Sequence, residues 1–271
     1  MHIYLDYPVH PEPRHGFGKP VHRKLEQIIE SGRDTYREYM QESMNHLELL
    51  AQISLDTPAE EKEPFYRNNW FPLLDGIAIY AFLAKHKPKL YVEIGSGNST
   101  KFARKAVTDL KLSTQIISID PHPRAQIDQL CDVVIRQSLE TVSLQIFNML
   151  QPGDILFIDS SHRSFTNSDV TVAFLEVLPI LKPGVIVQFH DIFIPYDYPP
   201  AYMNRYYSEQ YLLASYLLGG AKIKILLPNF FVAEDKEFFQ MVQPLYNRLG
   251  VTQTNPVCEG CSIWLEVGEE A

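Results

Sequence analysis

The stretch that most constrains this chain is Tyr91 to Thr100, YVEIGSGNST. Leu90, Tyr91, Val92 and Ile94 form a short apolar run rich in strand-forming residues, and Gly95-Ser96-Gly97-Asn98-Ser99 follows at once. This order predicts a buried strand, a tight turn and the start of a helix. The turn needs glycine because the backbone must enter conformations closed to other residues and let a ligand approach where a Cβ would stand. Ser99 and Thr100 suit a first helical turn, whose free N–H groups and dipole face whatever lies over the loop. The combination reads as a loop for a nucleotide-type ligand.

Its chemistry is not that of a phosphate cradle. A P-loop needs Lys and then Ser or Thr after its last glycine, and a dinucleotide loop needs a third glycine that is missing here. An acid, Glu93, stands two residues before Gly95, where it would repel a pyrophosphate and attract a cation. This E-x-G-x-G pattern followed by a small polar residue resembles the first motif of the class I S-adenosylmethionine-dependent methyltransferases, whose ligand carries an amino group and a sulfonium. The plainer alternative is an ordinary strand-to-turn junction.

Size and charge narrow the class. The 271 residues are enough for one large α/β core with an appendage. The net charge of −9 argues against nucleic acid as the main partner, because binding a phosphate backbone needs a basic face. No apolar run approaches the roughly 20 residues of a membrane span. The opening MHIYLDYPVHPEPRHGFGKP has prolines and charges where a secretory signal needs an apolar stretch, so a cytoplasmic location is expected. Three cysteines, an odd number, fit a reducing compartment better than a disulfide framework.

Residues 1–20 hold four prolines and read as an extended arm. Val21 to Ile53 carries apolar residues at three- and four-residue intervals and reads as helix, with Gly32 as a candidate break. These helices are expected to pack on the core, to cover a substrate or to join subunits of a homo-oligomer. A polar linker from Asp56 to Pro64 leads to a helix through Leu73, Ile77 and Leu83, and from Leu90 onward strand and helix patterns alternate, as in a parallel sheet covered on both faces.

The second strand, Gln115 to Ile119, ends in Asp120. An acid at the tip of the strand beside the glycine loop can accept hydrogen bonds from both hydroxyls of a ribose, although Asp120-Pro121 is also an ordinary turn pair. A third strand, Asp132 to Arg136, leads to Ser138. The fourth, Ile155 to Ile158, is followed by Asp159-Ser160-Ser161-His162, and the fifth, Val185 to Phe189, by His190-Asp191. Two neighbouring strands thus bring Asp159, His162, His190 and Asp191 to one rim.

Carboxylates a few ångströms apart repel one another unless a cation or a shared proton relieves them. A divalent metal supplies that relief. Carboxylate oxygens suit Mg²⁺ or Mn²⁺, and an imidazole widens the choice toward transition metals. Such an ion can lower the pKa of a substrate hydroxyl, and His162 is placed to take the proton. The alternative is that the carboxylates cap loops and the histidines bond to backbone.

D-x-x-H after the fourth strand and a His-Asp pair after the fifth resemble the metal-dependent O-methyltransferases that tailor macrolide sugars, and relatives among the cephalosporin-tailoring proteins. The likeness spans about Trp70 to the C-terminus, and it departs at His190, where those relatives tend to have Glu. It implies Asp159 and Asp191 as metal ligands, His162 as the base, and a small-molecule acceptor such as a sugar, polyketide or phenol; His190, in place of that Glu, can still serve as a third metal ligand, with Mg²⁺ then less favoured. It further implies that Glu93, Gly95, Ser96, Gly97 and Ser99 hold the amino-acid end of S-adenosylmethionine, Asp120 its ribose and Ser138 its adenine, with Asp159 beside the cofactor.

The tyrosine-rich run from Pro195 to Tyr216 directly follows this rim. It is irregular at first and helical from about Ser208, and it reads either as an acceptor pocket or as a packed crossover. Lys222 to Leu227 and Ser262 to Val267 are the last two strands. Cys258 and Cys261 form a C-x-x-C, but with no second pair for zinc and a strand following, it reads as a loop. The expected fold is α/β, a Rossmann-like doubly wound sheet of seven strands in the order 3-2-1-4-5-7-6 with the last strand antiparallel. Residues 1–64 are the arm and helical extension, and residues 65–271 the class I methyltransferase domain. Two rivals are a nicotinamide-dependent oxidoreductase, which the missing third glycine disfavours, and a non-catalytic protein that keeps the nucleoside pocket.

Overall fold

The structure is a computed structural model that describes residues 6–58, 60–251 and 259–269. Seven strands form one sheet: β1 (Leu90–Ile94), β2 (Gln115–Ile119), β3 (Val133–Ile135), β4 (Ile155–Ile158), β5 (Ile186–Phe189), β6 (Ile223–Pro228) and β7 (Ile263–Val267). Their spatial order is β3-β2-β1-β4-β5-β7-β6, as the sequence predicts. The first five pair in parallel, while β7 runs antiparallel to both β5 and β6. Helices cover both faces of the central strands, so these strands are mostly apolar, and such polar residues within them as Glu93, Ser118 and Gln188 are buried.

Register decides what the sheet presents. Ile94 pairs with Ile119 and with Ile158, and Ile158 pairs with Phe189, so these strands end at one level. The next residue of each is tied to its neighbour's last carbonyl: Gly95 N to Ile119 O at 3.0 Å, Asp159 N to Ile94 O at 2.9 Å, and His190 N to Ile158 O at 2.9 Å. Gly95, Asp120, Asp159 and His190 therefore stand along a single rim, at the carboxyl ends where open α/β sheets bind ligands.

The segment read as one helix from 21 to 53 is three: α1 (Arg23–Glu30), α2 (Arg33–Asn45) and α3 (Leu47–Leu50). The first break falls at Gly32, as expected. The second, at His46, carries no glycine or proline signal in the sequence. Leu25, Ile29, Tyr36, Tyr39 and Met40 from these helices lie in the same hydrophobic core as the sheet. Tyr39 stacks on Phe82 of α4 (Leu73–His86) at 4.3 Å, and Phe82 stacks on Trp264 of β7 at 3.9 Å. Arg33 adds ion pairs to Asp235 and Glu237 at 2.7 and 2.9 Å, at the start of the helix spanning Lys236–Leu249. The partly exposed pairs contribute little beside the burial of the aromatic face. Among the described residues no helix is long and apolar enough to cross a membrane.

The N-terminal arm is anchored where the chain leaves β5. Arg14 N and His15 N donate to Asp197 at 2.6 and 2.8 Å, and Phe17 packs edge-on against Tyr196. Phe193, Tyr198, Phe230 and Cys261 form a second buried cluster there. Between β4 and β5 the chain is α-helical over Asp169–Val172 and continues as a π turn over Ala173–Val177 and a 3₁₀ turn over Leu178–Ile180.

Candidate active site

The predicted glycine loop is present and its geometry explains its sequence. Gly95 has φ +77°, and a Cβ there would stand 1.8 Å from the carbonyl oxygen of Asp159, so only glycine lets the loop pass β4. A Cβ at Gly97 would meet nothing within 4 Å, so Gly97 keeps the cavity open without being required by the backbone around it. The helix Asn98–Asp109 starts directly after it. Asn68 binds this start from outside, accepting from Asn98 Nδ2 at 3.1 Å and from the Trp70 and Phe71 amides at 3.0 and 2.8 Å.

A cavity of about 450 Å³ lies over the loop. Gly95, Ser96, Gly97, Ser99, Asp120, Ser138 and Asp159 all line it, as do Trp70, Phe71 and Arg124. Asp120 accepts from the amides of Ser96 and His122 at 2.8 and 2.7 Å, which fixes its carboxylate at the cavity edge. Arg124 covers the half-exposed ring of Trp70 at 4.5 Å. Neither residue is singled out by the sequence motifs.

Glu93 is differently placed from the direct contact that its motif implies. It is fully buried beneath the loop, outside the cavity lining, and accepts from Ser99 Oγ at 2.5 Å and from Thr100 Oγ1. Burial pushes its carboxyl up to about 8, partly offset by those two hydroxyls. Its role in the described structure is to hold the first turn of the helix, because side chains alternate along β1 and this one faces inward.

Beyond the cofactor loop the rim residues converge as a connected set. His162 Nε2 lies 3.1 Å from Asp159 Oδ1 and 3.5 Å from Asp191 Oδ2, and its Nδ1 lies 2.8 Å from Glu209 Oε2. His190 Nδ1 lies 3.6 Å from Asp159 Oδ1 and 3.7 Å from Asp191 Oδ1, and its Nε2 lies 3.3 Å from Asp75 Oδ2. Each histidine therefore turns one nitrogen toward Asp159 and Asp191, and the other toward a fully buried carboxylate. His162 and Asp191 both adopt left-handed backbone, φ +59° and +53°, a conformation that costs a non-glycine residue on the order of 1 kcal/mol and recurs at functional sites.

Electrostatics follow from this packing. Burial acts to lower the His162 pKa, but the hydrogen bonds to Asp159 and Glu209 and the charge of Asp191 outweigh it and hold the ring well above the usual imidazole range. The same balance, with Asp159, Asp75 and Asp191 as the anions, puts His190 at about 9. Burial raises Glu209, against the pull of His162. The two imidazoliums thus stand between acids as an ion would.

Asp75 and Glu209 are neighbours of the rim that the sequence does not single out, and Cys261, read there only as part of a loop, stands beside them. Among the described residues, Asp75, His190 and Cys261 form a group whose potential metal-binding atoms all lie within 4.8 Å of one another. Cys261 is a buried free thiol, and its C-x-x-C partner Cys258 lies outside the described residues. A second cavity of about 370 Å³ adjoins the rim from the other side, lined by Asp191, Cys261, Tyr202 and Arg67. Trp70 and Phe71 line both cavities.

Residues 92–192 match the Methyltransf_24 family, described as a methyltransferase domain. A protein of Archaeoglobus fulgidus described as uncharacterized is 30% identical over 176 residues, covering 56% of this chain and 75% of that protein. This chain belongs to its family. The structure is also similar to that of the SAH-bound Podospora anserina methyltransferase PaMTH1, at 14% identity over 84% of this chain and 88% of that one, with a TM-score of 0.41.

Proposed function

We propose that this protein is an S-adenosylmethionine-dependent methyltransferase that acts on a hydroxyl oxygen of a small molecule, with a divalent metal held at the rim by Asp159, His190 and Asp191. The observation that carries this reading is the position of the acid–histidine set. Asp159 lines the cavity over the glycine loop and Asp191 lines the neighbouring one, with both histidines between them. A methyl donor in the first cavity and an acceptor in the second would meet there.

The residues present fit a divalent cation. Within that set His190 Nδ1 lies 3.6 Å from Asp159 Oδ1 and 3.7 Å from Asp191 Oδ1, a few tenths of an ångström wider than the about 3.0–3.4 Å that donors adopt around one ion with bonds of roughly 2.1 Å. Such an ion would acidify a hydroxyl beside it and compensate the carboxylate charge that now holds the His162 proton. S-adenosylmethionine, when bound, supplies a methyl group on a sulfonium, whose transfer to a hydroxyl leaves one proton to be removed.

The chain's own residues do the rest. Gly95 to Ser99 would line the amino-acid end of the cofactor, Asp120 would accept from its ribose hydroxyls, and Ser138 would border its adenine. Glu209 accepts the Nδ1–H of His162 and so turns Nε2 toward the junction of the cavities, where it takes the proton. Trp70 and Phe71 line both cavities and so border both the donor and the acceptor position. The net charge of −9 favours a small neutral or cationic acceptor over nucleic acid.

The test is methyl transfer from label-bearing S-adenosylmethionine to a panel of sugars, polyketide lactones and phenols, before and after chelation. Label in a small-molecule hydroxyl that falls by about a hundredfold or more in EDTA, and returns with added metal, is expected. Unchanged turnover in EDTA sinks the metal reading, and label on nitrogen or carbon sinks O-methylation.

A further inference from the structure

His190 is set apart from the other rim residues by what stands behind it. Its Nε2 points at Asp75 Oδ2, 3.3 Å away, on α4. Asp75 is fully buried, and a lone buried carboxylate costs several kcal/mol unless its surroundings compensate it. Here they do so completely. Asn229 Nδ2, Ser262 Oγ and the amides of Cys261 and Ser262 all donate to it, at 2.7, 2.6, 3.0 and 3.0 Å. These donors fill the Asp75 oxygens from two segments of chain, so the carboxylate neither swings nor has a free position for an ion.

The other nitrogen is in the opposite condition. Nδ1 makes no hydrogen bond among the described residues. It lies 3.6 and 3.7 Å from Asp159 and Asp191, beyond hydrogen-bond length, and faces the space between them. Phe71 stacks on the ring at 5.2 Å and 22°, which fixes its plane. Cys261 fills the gap between the two carboxylates behind the ring, its Sγ 3.6 Å from Asp75 Oδ2 and 3.4 Å from Asp191 Oδ1. Burial, with the charges of Asp75 and Asp191, holds that thiol protonated, so it acts as a donor.

We propose that Asp75 is a positioning residue that fixes His190 with Nδ1 as an inner metal ligand, and that the resulting centre takes a transition-metal dication in preference to Mg²⁺. The inference rests on the metal reading above and adds the class of metal and the residue that sets it. A carboxylate behind a ligating imidazole fixes the ring's orientation and raises its basicity. One imidazole among carboxylates favours Mn²⁺, Fe²⁺, Co²⁺ or Zn²⁺, whereas Mg²⁺ favours oxygen throughout. The buried trio of Asp75, His190 and Cys261 is then the support of the site and not the site itself.

The experiment is calorimetric titration of chelator-stripped protein with Mn²⁺ and, separately, Mg²⁺, each with and without S-adenosylhomocysteine. Mn²⁺ is expected to bind at least about tenfold tighter than Mg²⁺. Asp75→Asn should weaken Mn²⁺ about 10- to 100-fold while S-adenosylhomocysteine affinity stays within about threefold. His190→Glu, combined with Asp75→Asn so that two carboxylates do not face each other, should move the preference to Mg²⁺. Equal affinity for the two ions in the wild type, or a change under threefold in Asp75→Asn, overturns the proposal.

Should Asp75→Asn fail to fold, electron spin-echo spectra of the Mn²⁺-loaded wild type decide alone. Modulation from a directly bound imidazole nitrogen is expected, and its absence overturns the assignment. Binding of S-adenosylhomocysteine without any metal binding overturns this proposal and leaves the cofactor reading standing. Failure of both removes the proposed function as well.

Discussion

Replacing Asp191 with Asn is expected to reduce methyl transfer by about a thousandfold or more while leaving S-adenosylhomocysteine affinity within about threefold. Asp191 faces both histidines through its two oxygens, 3.5 Å from His162 Nε2 and 3.7 Å from His190 Nδ1. It lines the second cavity and is absent from the lining of the first, so the change falls on the chemistry and spares the cofactor. Asn keeps the shape and tolerates the left-handed backbone at this position, φ +53°, so the fold should survive. What it loses is the charge that balances two imidazoles and an ion. The readout is label transferred to the best acceptor of the panel, alongside a cofactor titration. Turnover near the wild-type rate would mean that Asp191 caps a loop and nothing more.

The second large effect concerns stability and pH. Burial moves Glu93 from an ordinary 4.5 to about 8, with the Asp159 charge adding to the rise. Between these values the folded chain keeps a proton that the unfolded chain releases, so folding is favoured most at low pH. The contribution is complete below about 4.5, declines as pH climbs through 8, and is flat above. At about 1.4 kcal/mol per pH unit the loss over these roughly 3.5 units is on the order of 5 kcal/mol. Glu93→Gln keeps the shape and can still pair with Ser99 and Thr100, and it removes the titration. Denaturant unfolding should therefore show the wild type losing stability relative to Glu93→Gln between pH 5 and pH 8. A difference that does not change with pH would show that Glu93 is ionised beneath the loop.

Much of the fold is legible in the sequence because its signals are local. Each parallel strand is an apolar run closed by a polar cluster, and the residues just beyond Ile94, Ile119, Ile158 and Phe189 are where register brings them together. The loop residues and the rim acids could be chosen from that pattern alone. The supports could not. Asp75 sits in a helix whose apolar spacing is clear, and periodicity does not say that this one charge turns inward to meet Ser262 and Cys261, 187 and 186 residues away. Glu209 opens a helix after a proline-rich loop and looks like any acid in a first turn. Glu93 was legible as an acid beside the loop, but its burial under Ser99 depends on which way β1 faces in the folded sheet. Long-range pairing, unlike a turn or a helix start, leaves no mark at either end of the chain segment.

The central claim is the ligand of the glycine loop, and calorimetric titration with S-adenosylhomocysteine, beside NADH at equal concentration, tests it most directly. Saturable one-site binding of S-adenosylhomocysteine alone is predicted, weakened at least about tenfold by Asp120→Ala, which removes the anchor of the Ser96 and His122 amides and the acceptor for ribose. Absence of binding, or binding of NADH in its place, would contradict the account from Tyr91 to Thr100 onward.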